Sequence, residues 1–373
     1  MGLVLPERFA LVLGGGGLKG FAHIGVLRAL DERGLAPSAI CGTSIGSLVA
    51  AAHLTGMPNA EMERRALALR ERDLFRIDHI GMVTRRMRNA SLYLEAPLRS
   101  LVNSVVPAGV HFSELRCPLL VNTVDLERGS QVVWGLPGLA DVRVAEAVYA
   151  SCALPGFFPP AHIGGRFCVD GSVMDNVPVS VAATDMDAVI AVDVGSTSIA
   201  ISRSLRRRGF AAVYMRSAQV MMHALEHEQL RHWGRPPILL VRPPIWHYHW
   251  FTFARTREII DAGYAAMNEA LESAGDAWLD DRGVFPRRAV DLSIDQEACV
   301  GCGLCAVLAP HAVRMESGKA RVIASPVKWS RADGDFVHQC PTEAIHVTVV
   351  DGAERRPSVQ VEAVDDSDGD LAD

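Results

Sequence analysis

Two sets of residues in this chain carry recognisable chemistry. The first is Gly14-Gly-Gly-Gly-Leu-Lys-Gly20, followed by Gly42-Thr-Ser-Ile-Gly46 and, far downstream, Asp170-Gly-Ser172. A serine hydroxyl is a poor nucleophile at neutral pH. It needs a base for its proton and donors for the oxyanion it creates. Gly-x-Ser-x-Gly around Ser44 meets the geometric demand, because small flanking residues permit the sharp strand-to-helix turn that exposes the serine oxygen. The second set is Cys299-x-x-Cys302-x-x-Cys305, with Cys340-Pro341 thirty-five residues later. The first set reads as an acyl hydrolase, the second as a single iron–sulfur cluster.

The glycine loop lies between an apolar run and a helical pattern, so several backbone N–H groups of Gly14 to Gly17 can converge at the positive end of that helix. Gly15-x-Gly17-x-x-Gly20 also fits a dinucleotide cradle. That reading asks for an acid at the end of the second strand, where this chain has Gly42-Thr-Ser-Ile-Gly46. The base for Ser44 must come from elsewhere. In the α/β-hydrolase order several strands precede the nucleophile and a histidine follows the acid. Here a single strand and helix precede the strand carrying Ser44, so a triad histidine is not required. Asp170 lies in Gly164-Gly-Arg-Phe-Cys-Val-Asp-Gly-Ser, a turn, short strand and second turn that present a carboxylate directly. Ser44 as a plain helix cap and Asp170 as a plain turn residue are the bland alternatives; three motifs in order weigh against them.

Three cysteines at this spacing wrap three corners of a cubane cluster, with the fourth ligand arriving from a remote Cys-Pro. Zinc sites more often use two separated Cys-x-x-Cys pairs. Cys302, the middle ligand, argues against a three-iron cluster.

The elements that must position these groups are legible from periodicity. Phe9 to Leu13 is a strand closed by glycines, and Leu18 to Arg33 carries helical spacing of Phe21, Ile24, Leu27 and Leu30. A second strand ends at Ile40-Cys41, and Ser44 opens a helix running to about Leu54. Leu119 to Val124 and Val189 to Val194 are continuous apolar runs, as in strands covered on both faces. Alternating strands and helices predict a mostly parallel α/β sandwich. Residues 59 to 104 read as a helical, charged outer layer. Gln219 to His232 and Thr256 to Ser273 read as late helices around the strand Ile238 to Val241. The charged stretch Asp276 to Arg288 marks a linker, and the acidic, apolar-poor residues 351–373 a disordered tail.

The 373 residues suit two domains, and a formal net charge of −6 gives no basic excess for nucleic acid. A dense basic run, Arg203 to Arg208, reads as a solvated loop or a patch for anionic headgroups. No early secretory core and no membrane-length apolar run are present. Cys41, Cys117, Cys152 and Cys168 read as reduced, buried thiols, which points to the cytoplasm. His23, at a helical position, reads as structural. His223 with His227, and His247 with His249, lack a third ligand type nearby, so metal binding there is set aside. Trp246, Trp250, Phe251 and Phe253 read as core, with an interfacial lip for lipid as the alternative.

Residues 9 to 195 resemble a patatin-like phospholipase domain, of the bacterial type related to neuropathy-target-esterase catalytic domains. Phe21-Ala-His-Ile-Gly-Val-Leu27, Ala150-Ser-Cys-Ala-Leu-Pro-Gly-Phe-Phe-Pro-Pro160 and Asp175-Asn-Val-Pro178 match stretches of that family. The resemblance implies a three-layer α/β/α sandwich and a Ser44–Asp170 dyad acting on lipid or other acyl esters. It also implies an oxyanion loop of Gly15, Gly16 and Gly17 within a motif that includes Gly20, an elbow of Gly42 and Gly46, and a catalytic Asp170-Gly171. The chain departs at Ser172, where the family usually has Gly or Ala. Residues 290 to 350 resemble a bacterial ferredoxin domain of small α+β fold. Ala309 stands where the fourth cysteine of a two-cluster run would be, so one [4Fe–4S] cluster on Cys299, Cys302, Cys305 and Cys340 is implied. The expected organisation is a hydrolase domain over 8–275, a linker over 276–289, a ferredoxin-like domain over 290–350 and a tail over 351–373. The expected partners are an acyl-ester substrate, a transient peripheral membrane contact at the inner membrane surface, and a redox partner protein. The alternative function is an electron-transfer or redox-sensor protein on an inactive hydrolase-fold scaffold.

Overall fold

A computed structural model of the chain describes residues 5–79, 91–195, 209–274, 277–280, 282–330, 333–337, 339–351 and 354–357. The basic run at 203–208 and the stretch 358–373 lie outside the described residues. The chain divides into two compact units. One comprises Met1–Ser196, Met221–Glu226 and Arg235–Arg282, and the other the remainder.

In the first unit the strands β1 (Phe9–Leu13), β2 (Ala39–Thr43), β3 (Leu119–Asp125), β7 (Ala188–Val192) and β8 (Ile238–Val241) lie parallel in the order β3-β2-β1-β7-β8. All of their residues are buried, which is why they read as mostly apolar runs rather than alternating ones. Three antiparallel strands extend the sheet beside β3: β4 (Ser130–Trp134), β5 (Ala161–Ile163) and β6 (Arg166–Asp170).

Helix α1 (Ala22–Glu32) follows a short 3-10 turn, Gly17–Phe21, and α2 (Ile45–Leu54) follows β2 directly. Helix α1 packs against the helix Thr256–Ala274 through two small residues. A Cβ on Gly25 would stand 2.0 Å from the Ile260 carbonyl oxygen, and one on Gly263 2.0 Å from the Ala22 carbonyl oxygen. Only glycine at both positions lets the two backbones approach so closely. The expected outer layer holds α3 (Asn59–Ala68), Glu71–Leu74 and Glu95–Val105. The first late helix starts earlier than expected and runs over Gly209–Arg231, because no breaker interrupts Phe210 to Gln219. Cys41, Cys152 and Cys168 are buried free thiols, whereas Cys117 is half-buried. Among the described residues no helix is long and apolar enough to cross a membrane.

The second unit holds a small sheet in which Arg287–Ile294 pairs antiparallel with Val327–Ser330 and with Ile345–Asp351, and the latter with Glu354–Pro357. Strand pairing therefore continues beyond residue 350, past the expected start of the tail. A separate hairpin joins Val313–Glu316 to Lys319–Val322, and a short helix spans Leu304–Leu308. Its core gathers Val290, Leu292, Trp329, Phe336 and Ile345.

Candidate active site

Register brings the two distant motifs together. Thr43 at the end of β2 pairs with Asn122 of β3, and the next β3 residue, Thr123, pairs with Asp170 at the end of β6. Ser44 and Asp170 thus flank adjacent β3 residues although 126 positions separate them in sequence. The Ser44 hydroxyl is near enough to the Asp170 carboxylate to favour its charged form.

Ser44 sits between β2 and α2 with φ 54° and ψ −129°. For a side chain other than glycine that is a sparsely populated region, costing on the order of 1–3 kcal/mol. The surroundings impose it. A Cβ on Gly46 would stand 2.1 Å from the Leu13 carbonyl oxygen, and one on Gly42 2.5 Å from the Ser47 Cα. Polar groups pin the elbow as well: the Ser44 N–H donates to Ser151 Oγ at 2.8 Å, Ser151 Oγ donates to the Asn122 carbonyl at 2.7 Å, and Ser47 Oγ donates to the Ser44 carbonyl at 2.6 Å.

The Asp170 carboxylate is 2% exposed. Burial disfavours its charged form and pushes its pKa up to about 6. Three donors oppose that rise: the Ser44 hydroxyl, the Ser172 N–H at 2.9 Å and the Ser172 hydroxyl. The Cys152 thiol, on the helix Val144–Cys152, feels the Asp170 charge; burial first and that charge second push its pKa up and keep it protonated.

The glycine loop is fixed from several sides. Buried His23 donates from Nε2 to the Gly14 carbonyl at 2.8 Å, and burial lowers its pKa to about 4, so the ring is neutral. This is the structural role expected of it. Gly14 N–H donates to the Val192 carbonyl at 3.0 Å, Gly15 N–H to the Asn176 carbonyl at 3.3 Å, and Asn176 Nδ2 to the Gly15 carbonyl at 3.2 Å. Leu18 N–H donates to the Trp250 carbonyl at 2.7 Å. Among the described residues, no backbone acceptor is recorded for the N–H groups of Gly16 and Gly17. Gly15 comes closest to the serine, since a Cβ there would stand 3.2 Å from Ser44 Cβ. Gly20 packs against the residue after the serine, with its Cβ position 1.9 Å from Ile45 Cγ2. Gly171 backs onto Asn122 in the same way.

Reading the motifs did not single out Asn122, Ser151 or Asn176. The available signal was a polar residue inside an otherwise apolar run, as Asn122 is in Leu-Leu-Val-Asn-Thr-Val. A cavity of about 260 Å³ lies beside α2, lined by Phe21, Ile24, Leu48, Val49, Met62 and Leu101 among others. Phe251 and Phe253 are half-buried and meet Phe75 at ring-centroid distances of 4.9 and 6.0 Å, while Trp246 is exposed. The aromatic stretch is therefore only partly core.

In the second unit Cys299 is buried in the core, and Cys305 and Cys340 pack against it half-buried; Cys302 is exposed. Gly301 and Gly303 adopt φ of 71° and 78°, which turns the intervening loop tightly. Cys305 interacts electrostatically with both Cys299 and Cys302. Cys340 Sγ accepts the Ala344 N–H at 3.3 Å. Burial raises the Cys340 thiol, but the amides of Thr342, Ala344 and Ile345 outweigh it and hold the pKa below the ordinary value. Among the described residues no three His, Cys, Asp or Glu side chains are grouped to hold a single metal ion. A cubane cluster asks something different, one thiolate on each of four irons. A purely thiol donor set, with backbone amides turned toward one sulfur, fits it. His223, His247 and His249 are in no such group either, and the His227 side chain lies outside the described residues.

Residues 11–183 match the family model of patatin-like phospholipases, and residues 294–347 that of the 4Fe–4S single-cluster domain of ferredoxin I. The chain carries a patatin-like phospholipase domain with relatives in the NTE family, and a single-cluster 4Fe–4S domain C-terminal to it. Over 197 residues it is 32% identical to an uncharacterised NTE-family protein of Mycobacterium tuberculosis, covering 52% of this chain and 51% of that one. It is 33% identical over 195 residues to the lysophospholipase NTE1 of Mycosarcoma maydis, covering 50% of this chain and 10% of that one. The chain thus spans about half the length, or less, of these relatives. Among solved structures, VipD from Legionella pneumophila aligns with a TM-score of 0.40 and 16% identity, over 72% of this chain and 67% of that one.

Proposed function

We propose that the first unit is a serine acyl hydrolase acting on lipid esters. Asp170 takes the proton from Ser44 Oγ as that oxygen attacks the acyl carbonyl carbon. The oxyanion is held by the N–H groups of Gly16 and Gly17, Gly15 N–H being engaged by the Asn176 carbonyl; each well-aimed donor is worth about 3 kcal/mol of barrier. Collapse of the tetrahedral intermediate expels the alcohol, which leaves with the proton from Asp170. Water, deprotonated by the same carboxylate, then attacks the acyl-enzyme and releases the acid. The observation that carries this reading is the Ser44 hydroxyl near a buried carboxylate, on a strained turn beside a glycine loop. Strain of that kind persists where the surroundings over-determine it and collects at functional sites, which favours an enzyme over an inert scaffold.

The relatives named lysophospholipase support a lipid ester. The substrate reading carries with it a cytoplasmic enzyme in transient contact with a membrane surface, for which the exposed side chains of Ile77, Leu94 and Trp246 offer apolar contacts. In the second unit, Cys299, Cys302, Cys305 and Cys340 would hold one [4Fe–4S] cluster, which when bound supplies one-electron chemistry for transfer to a partner protein or for redox sensing.

The test is hydrolysis of p-nitrophenyl butyrate and of lysophosphatidylcholine by wild type and by Ser44→Ala. The expected result is turnover of both by wild type and a loss of at least roughly a thousandfold in the variant. Undiminished turnover by Ser44→Ala contradicts the reading.

A further inference from the structure

We propose that Ser151 is a positioning residue for the dyad: it anchors the backbone of Ser44 to the same helix end that anchors the backbone of Asp170, and so sets the spacing of nucleophile and base. The inference rests on the proposed hydrolase reading. Ser151 lies in the last turn of the helix Val144–Cys152 and is fully buried. A hydroxyl has one proton to donate and two lone pairs with which to accept. Ser151 donates that proton to the Asn122 carbonyl at 2.7 Å, so toward the Ser44 N–H at 2.8 Å it can only accept. Just beyond it, the Ala153 carbonyl accepts the Asp170 N–H at 3.1 Å. The helix stops here because Pro155 follows Leu154, and the residue before a proline is driven out of the helical conformation. Carbonyls at a helix end have no partner within the helix, and this one is satisfied by Asp170. One helix end thus grips the nucleophile through a side chain and the base through a carbonyl.

The consequence follows from the conformation of Ser44. Its φ of 54° is held by the surroundings rather than by its own preference. The elbow glycines give that turn room, and Ser47 bonds the Ser44 carbonyl from within the same segment. The Ser151 oxygen instead ties the Ser44 N–H to a separate element 107 positions away. Without that oxygen the N–H has lost its partner, and the peptide before Ser44 is free to turn toward another acceptor. Such a turn moves Ser44 Oγ, while the Asp170 amide stays on Ala153. A displacement of about 1 Å at a reacting atom costs on the order of a hundredfold in rate. The loss therefore falls on the chemical step and spares substrate binding.

The experiment compares wild type, Ser151→Ala and Ser151→Cys in the full chain. It measures kcat and KM for p-nitrophenyl butyrate, thermal melting, and hydrogen exchange at the Ser44 amide. In both variants kcat is expected to fall roughly 10- to 100-fold with KM within about twofold of wild type. The Ser44 amide, having lost its acceptor, is expected to exchange about tenfold faster. A merely structural role lowers the melting temperature but leaves kcat of the folded protein in place; that result overturns the proposal, as does a rise in KM alone. Should Ser151→Ala melt below the assay temperature, Ser151→Cys, which fills the space with a poorer acceptor, reads the same loss. Unchanged exchange at the Ser44 amide in a folded variant also overturns it. A wild type that hydrolyses no ester, with faster Ser44 exchange in the variants, rejects the hydrolase reading and leaves the Ser151 anchor standing.

Discussion

The two units hold their reactive groups in opposite ways. In the first, backbone does the holding. Ser44 is fixed at a positive φ by a turn whose glycines touch backbone on the far side, and Asp170 is placed by the pairing of β6 with β3. Nothing needs to bind for that site to exist. In the second, three of the four thiols lie on irregular segments and Cys305 in a short helix, around a small core, with one thiol exposed and two half-buried. Such a loop gains its definition from what it ligates, and a metal centre's binding energy becomes folding energy. One site is preorganised by the fold; the other, on the proposed reading, would be completed by its cluster.

The sharpest way to break this comparison is at Asp170. Asp170→Asn removes the base, and general-base catalysis is worth about 10²- to 10⁴-fold in rate. The same change relieves the fold. In the folded protein the carboxyl holds its proton up to about pH 6, against 3.8 ordinarily. Ionising it therefore costs stability as pH rises from about 4 through 6, in total about 3 kcal/mol. We expect Asp170→Asn to melt no lower than wild type at pH 8 while losing turnover. An inactive variant that also melts well below wild type would make the carboxylate a structural element instead.

The complementary break is at Cys340, the one proposed cluster ligand outside the Cys299–Cys305 run. Cys340→Ser is expected to lose bound iron and sulfide and to lower the melting transition of the second unit, with ester hydrolysis persisting. Loss of hydrolysis along with the cluster would show that the first site is not self-sufficient.

The parallel strands were legible because each is buried on both faces, so its run is mostly apolar, β3 being interrupted by Asn122 and Thr123. The motifs around Ser44, Asp170 and the four cysteines stood out in the sequence because the chemistry proposed for them demands fixed neighbours at short spacing. Asn122, Ser151 and Asn176 did not. Their roles arise from register between segments far apart in sequence, Thr43 on Asn122 and Thr123 on Asp170, and no local pattern encodes such a pairing. The engagement of Gly15 N–H by Asn176 was hidden for the same reason. The aromatic stretch from Trp246 to Phe253 misled in part, since composition records apolar content but not which ring faces water.

The central claim is that Ser44 is a nucleophile activated by Asp170, and covalent labelling with a fluorophosphonate tests it most directly. With the adduct mapped by peptide mass spectrometry, the account predicts a single modified residue, Ser44, labelled at a rate that falls as pH drops through about 6. A folded protein that takes no label, or takes it on another serine, would contradict it.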